Sequence, residues 1–95
     1  MNYDFSLNAF PAFLSYHTLQ NIRAIAAEIS LSRPDFDLTQ KLTSVQGYAE
    51  LINEDPKNLA YHISLRRATA RMAEAMRRKK YESTELVDRL EELLS

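Results

Sequence analysis

Cysteine is absent from the 95 residues, which excludes disulfides, thiolate zinc sites and thiol nucleophiles. Glycine occurs once, at Gly47, too seldom for the phosphate-cradling loops whose close backbone approach needs two or three glycines. Valine is limited to Val45 and Val87, and no hairpin turn separates alternating apolar residues, so nothing argues for β-strands. No apolar run approaches the ~20 residues of a membrane-spanning helix. The N-terminal stretch MNYDFSLNAFPAFLSY lacks a basic start, and Asn8 and Pro11 interrupt its apolar character, so it does not read as a targeting segment. A cytoplasmic location is the resulting expectation. No internal repeat or low-complexity stretch is visible.

What is present is ordinary for a folded chain. Apolar residues make up 45% and charged residues 26%, which argues for one globular domain over residues 1–95 and against disorder. The net charge of −1 hides a strong asymmetry. Residues 1–56 sum to −4, residues 57–80 to +7 and residues 81–95 to −4. The basic strip can steer an acidic partner or a phosphate backbone, or be neutralised by the chain's own acidic tail.

Apolar periodicity predicts four helices, over about 9–31, 37–53, 56–80 and 84–94. In the first, Leu14, Thr18, Ile22, Ile25, Ala26 and Ile29 form one stripe, with Phe10, Phe13 and His17 on a neighbouring strip. Asn8 is its expected cap, Pro11 suits its first turn, and Pro34 should hold Arg33 extended beyond its end. Asp37 with Gln40 suggests a capping box for the second helix. Leu38, Leu42, Val45, Ala49 and Ile52 follow at steps of four and three, a seam suited to shallow helix packing. Gly47 interrupts that helix at a cost of roughly 1 kcal/mol, which a close helix contact would offset. Asp55 and Pro56 read as cap and first residue of the third helix. Its apolar face is Tyr61, Leu65, Ala68, Met72, Ala75 and Met76. Leu86, Leu90, Leu93 and Leu94 form the apolar side of the fourth, with Glu85, Asp88, Glu91 and Glu92 outward. The expected fold is all-α, a small four-helix bundle or helical-hairpin bundle.

The stretch LTSVQGYAELI at Leu42–Ile52, the DPKN that follows, and LRRATARMAEAM at Leu65–Met76 resemble the dimerisation and phosphoacceptor hairpin of sensor histidine kinases. The resemblance covers Phe36–Met76. The slot of the phosphoacceptor histidine holds Phe36; Asp37 and Leu38 keep the acidic and leucine positions, while Thr39 and Lys41 replace a basic residue and a proline. No glycine-rich lid of an ATP-binding domain occurs in these 95 residues. The resemblance implies a hairpin that has lost its chemistry and kept a docking surface, with Thr39, Gln40 and Thr43 where a response regulator or kinase would meet the first hairpin helix. It also implies dimerisation, and the seam from Leu38 to Ile52 and the small core add to the expectation of a homodimer.

Other chemistries find less support. Two histidines on different helices, without cysteine, do not make a metal site, and no cofactor is expected. His17, with Leu19 and Asn21, only loosely matches a phosphoacceptor start, and His62 should be a solvated surface residue. The acids of the last helix read as a solvated face rather than a catalytic pair, so no enzyme is expected. Tyr3, Phe5, Phe10, Phe13 and Tyr16 form an aromatic cluster, either a plug closing one end of the bundle or an exposed anchor. Arg67, Arg71 and Arg78 share one flank of the third helix and Arg66 and Arg77 another; with Lys79 and Lys80 they are the candidate contacts for a partner or for phosphates. Overall acidity and the lack of interleaved aromatics weigh against nucleic acid. The expected function is a non-catalytic interaction module that docks on, or competes with, a two-component signalling partner. The alternative is a small phage or mobile-element accessory protein that inhibits a host machine or binds nucleic acid through the arginine-rich third helix.

Overall fold

Among the described residues, four α-helices follow one another: α1 Tyr16–Leu31, α2 Phe36–Glu54, α3 Leu59–Arg78 and α4 Thr84–Leu94. This computed structural model describes residues 13–79 and 84–94, and no strand occurs among them. Each helix packs against two others, so that α1, α2, α3 and α4 close a ring in chain order. The fold is the expected all-α four-helix bundle. Ile22, Ile25 and Ile29 of α1, Leu65, Met72 and Met76 of α3 and Leu90 of α4 are fully buried between the helices.

The α2 seam falls as its spacing predicts: Leu38, Leu42, Val45, Ala49 and Ile52 are all buried. They are buried within one chain, by its own helices. The seam therefore offers no free apolar face to a second copy, and the dimer expectation is left to the resemblance and the small core.

The helix ends differ from expectation at several points, each with a local reason. Asn8, Phe10 and Pro11 lie outside the described residues, and α1 begins only at Tyr16. Ser15 is extended and its hydroxyl accepts the Thr18 N–H at 3.0 Å, which caps the helix there. Asp35, not Asp37, caps α2, accepting the Leu38 N–H at 2.8 Å. Asp37 lies inside the first turn, where its carboxylate takes Lys41 and Lys79 instead. Asp55 closes α2, donating its N–H to the Leu51 carbonyl, and Pro56 falls in the turn that follows. Asn58 caps α3 through the Ala60 N–H. Two capping residues three apart serve two different helices, an arrangement that an Asp-Pro pair does not disclose.

Arg33 is not extended but left-handed, with φ of 57°. The N–H of Ser32 tightens the last turn of α1 onto the Ile29 carbonyl, and the chain must then reverse within a few residues to start α2. A left-handed residue just past a helix end makes that reversal, usually as glycine. Here Arg33 carries the strain, about 1–2 kcal/mol for an L-residue.

Gly47 also departs from expectation. It is exposed, and a Cβ placed on it meets nothing within 4 Å. No close helix contact offsets its cost. Gly47→Ala is therefore expected to stabilise the protein by about 0.5–1 kcal/mol, raising Tm by roughly 2–8 °C. Thermal unfolding followed by circular dichroism checks this, and an unchanged or lower Tm would refute open space at this position.

Candidate functional site

The groove between α2 and α3 is lined by Gln40, Lys41, Ser44 and Tyr48 from one helix and Ser64, Arg67, Ala68 and Arg71 from the other. Apart from Ala68, which belongs to the α3 apolar face, these are flanking positions of the two apolar faces. Once Leu42, Val45 and Ala49 turn inward against Leu65, Ala68 and Met72, the neighbouring positions meet along the rim. Among the described residues, three cations and no carboxylate line it. Lys41 is tied to Asp37 one turn back at 2.7 Å. Arg67 and Arg71 are exposed and form no hydrogen bond or ion pair among the described residues.

One end of this groove is closed by charge. Lys79, just past α3, bonds Asp35 at 2.8 Å and Asp37 at 2.9 Å at the start of α2. Hydrogen bonds from Lys41 and Lys79 hold the Asp37 carboxyl down at about 2. Asp35 is lowered by Lys79 and by the Leu38 N–H, and Lys79 is raised in return by Asp35 and then Asp37.

The remaining basic residues divide by partner. Arg77 binds Glu91 at 2.7 Å and Asp88 at 3.0 Å, and these two carboxylates raise its pKa further. Arg66 donates to the Leu94 carbonyl at 2.9 Å, at the C-terminal end of α4. The acidic tail thus takes up one flank of the basic strip. Arg78 does not share the Arg67 and Arg71 groove; it lines a depression between α3 and α4 with Ala73, Arg77 and Glu91. As the last residue of α3 it lies beyond the stretch that α2 flanks at Ser44 and Tyr48. Lys80 lies outside the described residues.

Thr39, Gln40 and Thr43 are exposed on α2. Thr43 donates its hydroxyl to the Thr39 carbonyl at 2.9 Å, and Thr39 reaches the Pro34 carbonyl at 3.4 Å. Only Gln40 joins the groove with Arg67 and Arg71. Phe36, one turn before them, is 77% exposed. Sequence reasoning treated it as the place of a missing histidine and overlooked it as an apolar anchor; its position off the Leu38 and Leu42 seam was the available signal.

The histidines part company. His17 is exposed, with its Nε2 3.1 Å from the Asn21 side-chain amide. His62 is buried, contrary to the expected surface position, and holds the segment before α1. Its Nδ1 accepts the Leu14 N–H at 3.1 Å, its Nε2 faces the Pro56 carbonyl at 2.8 Å, and Phe13 meets the ring edge-on. The burial follows from the width of the α3 inner face, which also takes in Thr69 and Ala73. Of the aromatic cluster, Phe13 and Tyr16 are exposed, while Tyr3, Phe5 and Phe10 lie outside the described residues.

Among the described residues, no group of three or more His, Asp or Glu converges to hold a metal ion, and no helix is long and apolar enough to cross a membrane. No protein-family model matches the chain, and no curated protein or solved structure matches it. The likeness to the histidine-kinase hairpin accordingly rests on the residues quoted for it.

Proposed function

We propose that this protein is a non-catalytic helical interaction module that docks on a two-component signalling partner, or competes with one, through the outer face of the α2–α3 hairpin. The observation that carries the reading is Phe36: a phenylalanine 77% exposed at the first position of α2, in the slot that the resemblance gives to the phosphoacceptor. Thr39, Gln40 and Thr43 continue the same exposed strip along the helix. Aromatic side chains are enriched at interface centres, where a few anchors carry most of the binding energy. With phenylalanine there, the surface can engage a partner but cannot accept phosphate from it.

The test is direct binding of the purified chain to the receiver domains and sensor kinases of its source organism, at moderate salt and after nuclease treatment. At least one is expected to bind. Phe36→Ala is expected to weaken that complex by about 2 kcal/mol, roughly 30-fold, as for a truncated aromatic hot spot. Stability should stay within about 0.5 kcal/mol, because the ring is exposed. Failure of every such protein to bind, or an affinity indifferent to Phe36→Ala, removes the reading. Binding of nucleic acid alone, lost at moderate salt, would transfer the function to the arginines of α3.

A further inference from the structure

The four grooves of the bundle are not equivalent in charge. Between α1 and α2, Arg23 faces Glu50 at 3.7 Å. Between α1 and α4, Arg89 faces Glu28 at 3.5 Å. Between α3 and α4, Arg77 takes Asp88 and Glu91. Each of these grooves is crossed by a cation and a carboxylate from opposite sides. Between α2 and α3 the salt bridge lies at one end, at Lys79; beyond it the groove carries Lys41, held by Asp37 of its own helix, together with Arg67 and Arg71, and among the described residues no carboxylate lines it. Like charges four residues apart on a helix repel by a few tenths of a kcal/mol, and here nothing in the described chain relieves them.

We propose that this groove is the docking site for an acidic helical segment of a partner protein, whose carboxylates complete the fourth groove as the chain's own acids complete the other three. The inference deepens the interaction reading and rests on it for the existence of a partner, but its chemistry comes from the groove alone. Arg67 and Arg71 are displaced by about 6 Å along α3, the interval between carboxylates one turn apart on an opposing helix. The planar guanidinium fork matches a carboxylate with two parallel hydrogen bonds. Gln40, Ser44 and Ser64 add neutral polar groups along the rim, and the partly buried Tyr48 supplies apolar surface for the stems of the incoming side chains. This distribution suits a row of carboxylates better than a single compact anion, which needs donors converging on one point.

The test uses the full chain and fluorescence anisotropy with three probes: a 20-residue helix-forming peptide carrying glutamate at every fourth position, its counterpart with glutamine at those positions, and a 20-base-pair DNA duplex. The glutamate peptide is expected to bind about tenfold or more tightly than the glutamine peptide. Its affinity should fall as salt rises, since the pairs are solvent-facing. Arg67→Ala with Arg71→Ala should cost about tenfold or more, while Arg23→Ala, in the already paired α1–α2 groove, should leave binding unchanged. Circular dichroism confirms that the variants fold. Equal binding of the two peptides, an unaffected double variant, or tighter binding of the duplex than of the glutamate peptide would each overturn the inference. Phe36→Ala separates the two readings: a natural partner sensitive to Phe36→Ala but indifferent to the arginine pair would refute the groove and leave the interaction reading standing.

Discussion

Replacing Leu65 with alanine is expected to destabilise the protein by about 2–5 kcal/mol, the range for truncating a fully buried leucine. Leu65 has no exposed surface, and it sits on α3, which packs against both α2 and α4. The cost has two parts: the transfer energy of the lost isopropyl carbons, and the cavity left in the core. The second part is large here because rigid helices on either side restrict collapse into the space. A domain of this size has a stability of about 5–14 kcal/mol, so the loss is a substantial share of it. Tm should fall by roughly 10–20 °C or more. Leu31→Ala is the matching control, since Leu31 is 84% exposed at the end of α1 and should change stability by less than about 0.5 kcal/mol. Urea unfolding of both variants checks the contrast. A Leu65→Ala loss below about 1 kcal/mol would contradict the full burial of Leu65 in the core. Because α2 and α3 carry every proposed contact, Leu65→Ala should weaken partner binding only as far as it unfolds the chain, whereas Phe36→Ala and the arginine variants act without unfolding it.

The helices and their inward faces were legible because a four-helix bundle is written in a single period. The steps from Leu38 to Ile52 fixed which side of α2 is buried without reference to any other helix. The helix ends were less legible. Asp35 and Asp37, or Asp55 and Asn58, are equally good caps by type, and residue type alone does not separate them. Asp37 is claimed by Lys41 and by Lys79, a residue 42 positions away in the chain, and no local pattern reports that. The candidate site was half legible. Helical spacing placed Arg67 and Arg71 on one flank, but whether a cation is free depends on which acids the fold brings opposite it. Arg77 has the same side chain and nearly the same sequence surroundings, yet it is consumed by α4. The uneven charge along the chain was visible from the start; that it is cancelled on one side of α3 and left open on the other required the topology.

His62→Ala is expected to cost about 2–4 kcal/mol, from a position where sequence spacing alone suggested nothing to lose. The ring is only 3% exposed, and both of its nitrogens are engaged by backbone groups from elsewhere in the chain. A backbone N–H can only donate, so the Nδ1 that faces Leu14 must present its lone pair. The single proton therefore sits on Nε2, which donates it to the Pro56 carbonyl. One neutral ring thus links the segment entering α1 to the turn between α2 and α3. Removing it leaves the buried Leu14 N–H without its acceptor, a penalty of about 1–3 kcal/mol, and strips Phe13 of its edge-on contact, worth about 0.5–1.5 kcal/mol. His62→Phe keeps most of the volume and the aromatic contact while removing both hydrogen bonds. It should therefore retain about the first penalty alone, and the difference between the two variants measures the packing share. Beyond global unfolding, amide exchange at Leu14 should quicken in both variants while exchange at Ile25 tracks only the overall stability. In the intact protein, nitrogen chemical shifts of the His62 ring should report a proton on Nε2 and none on Nδ1. A proton found on Nδ1 would break the link, because it would set two donors against each other at Leu14.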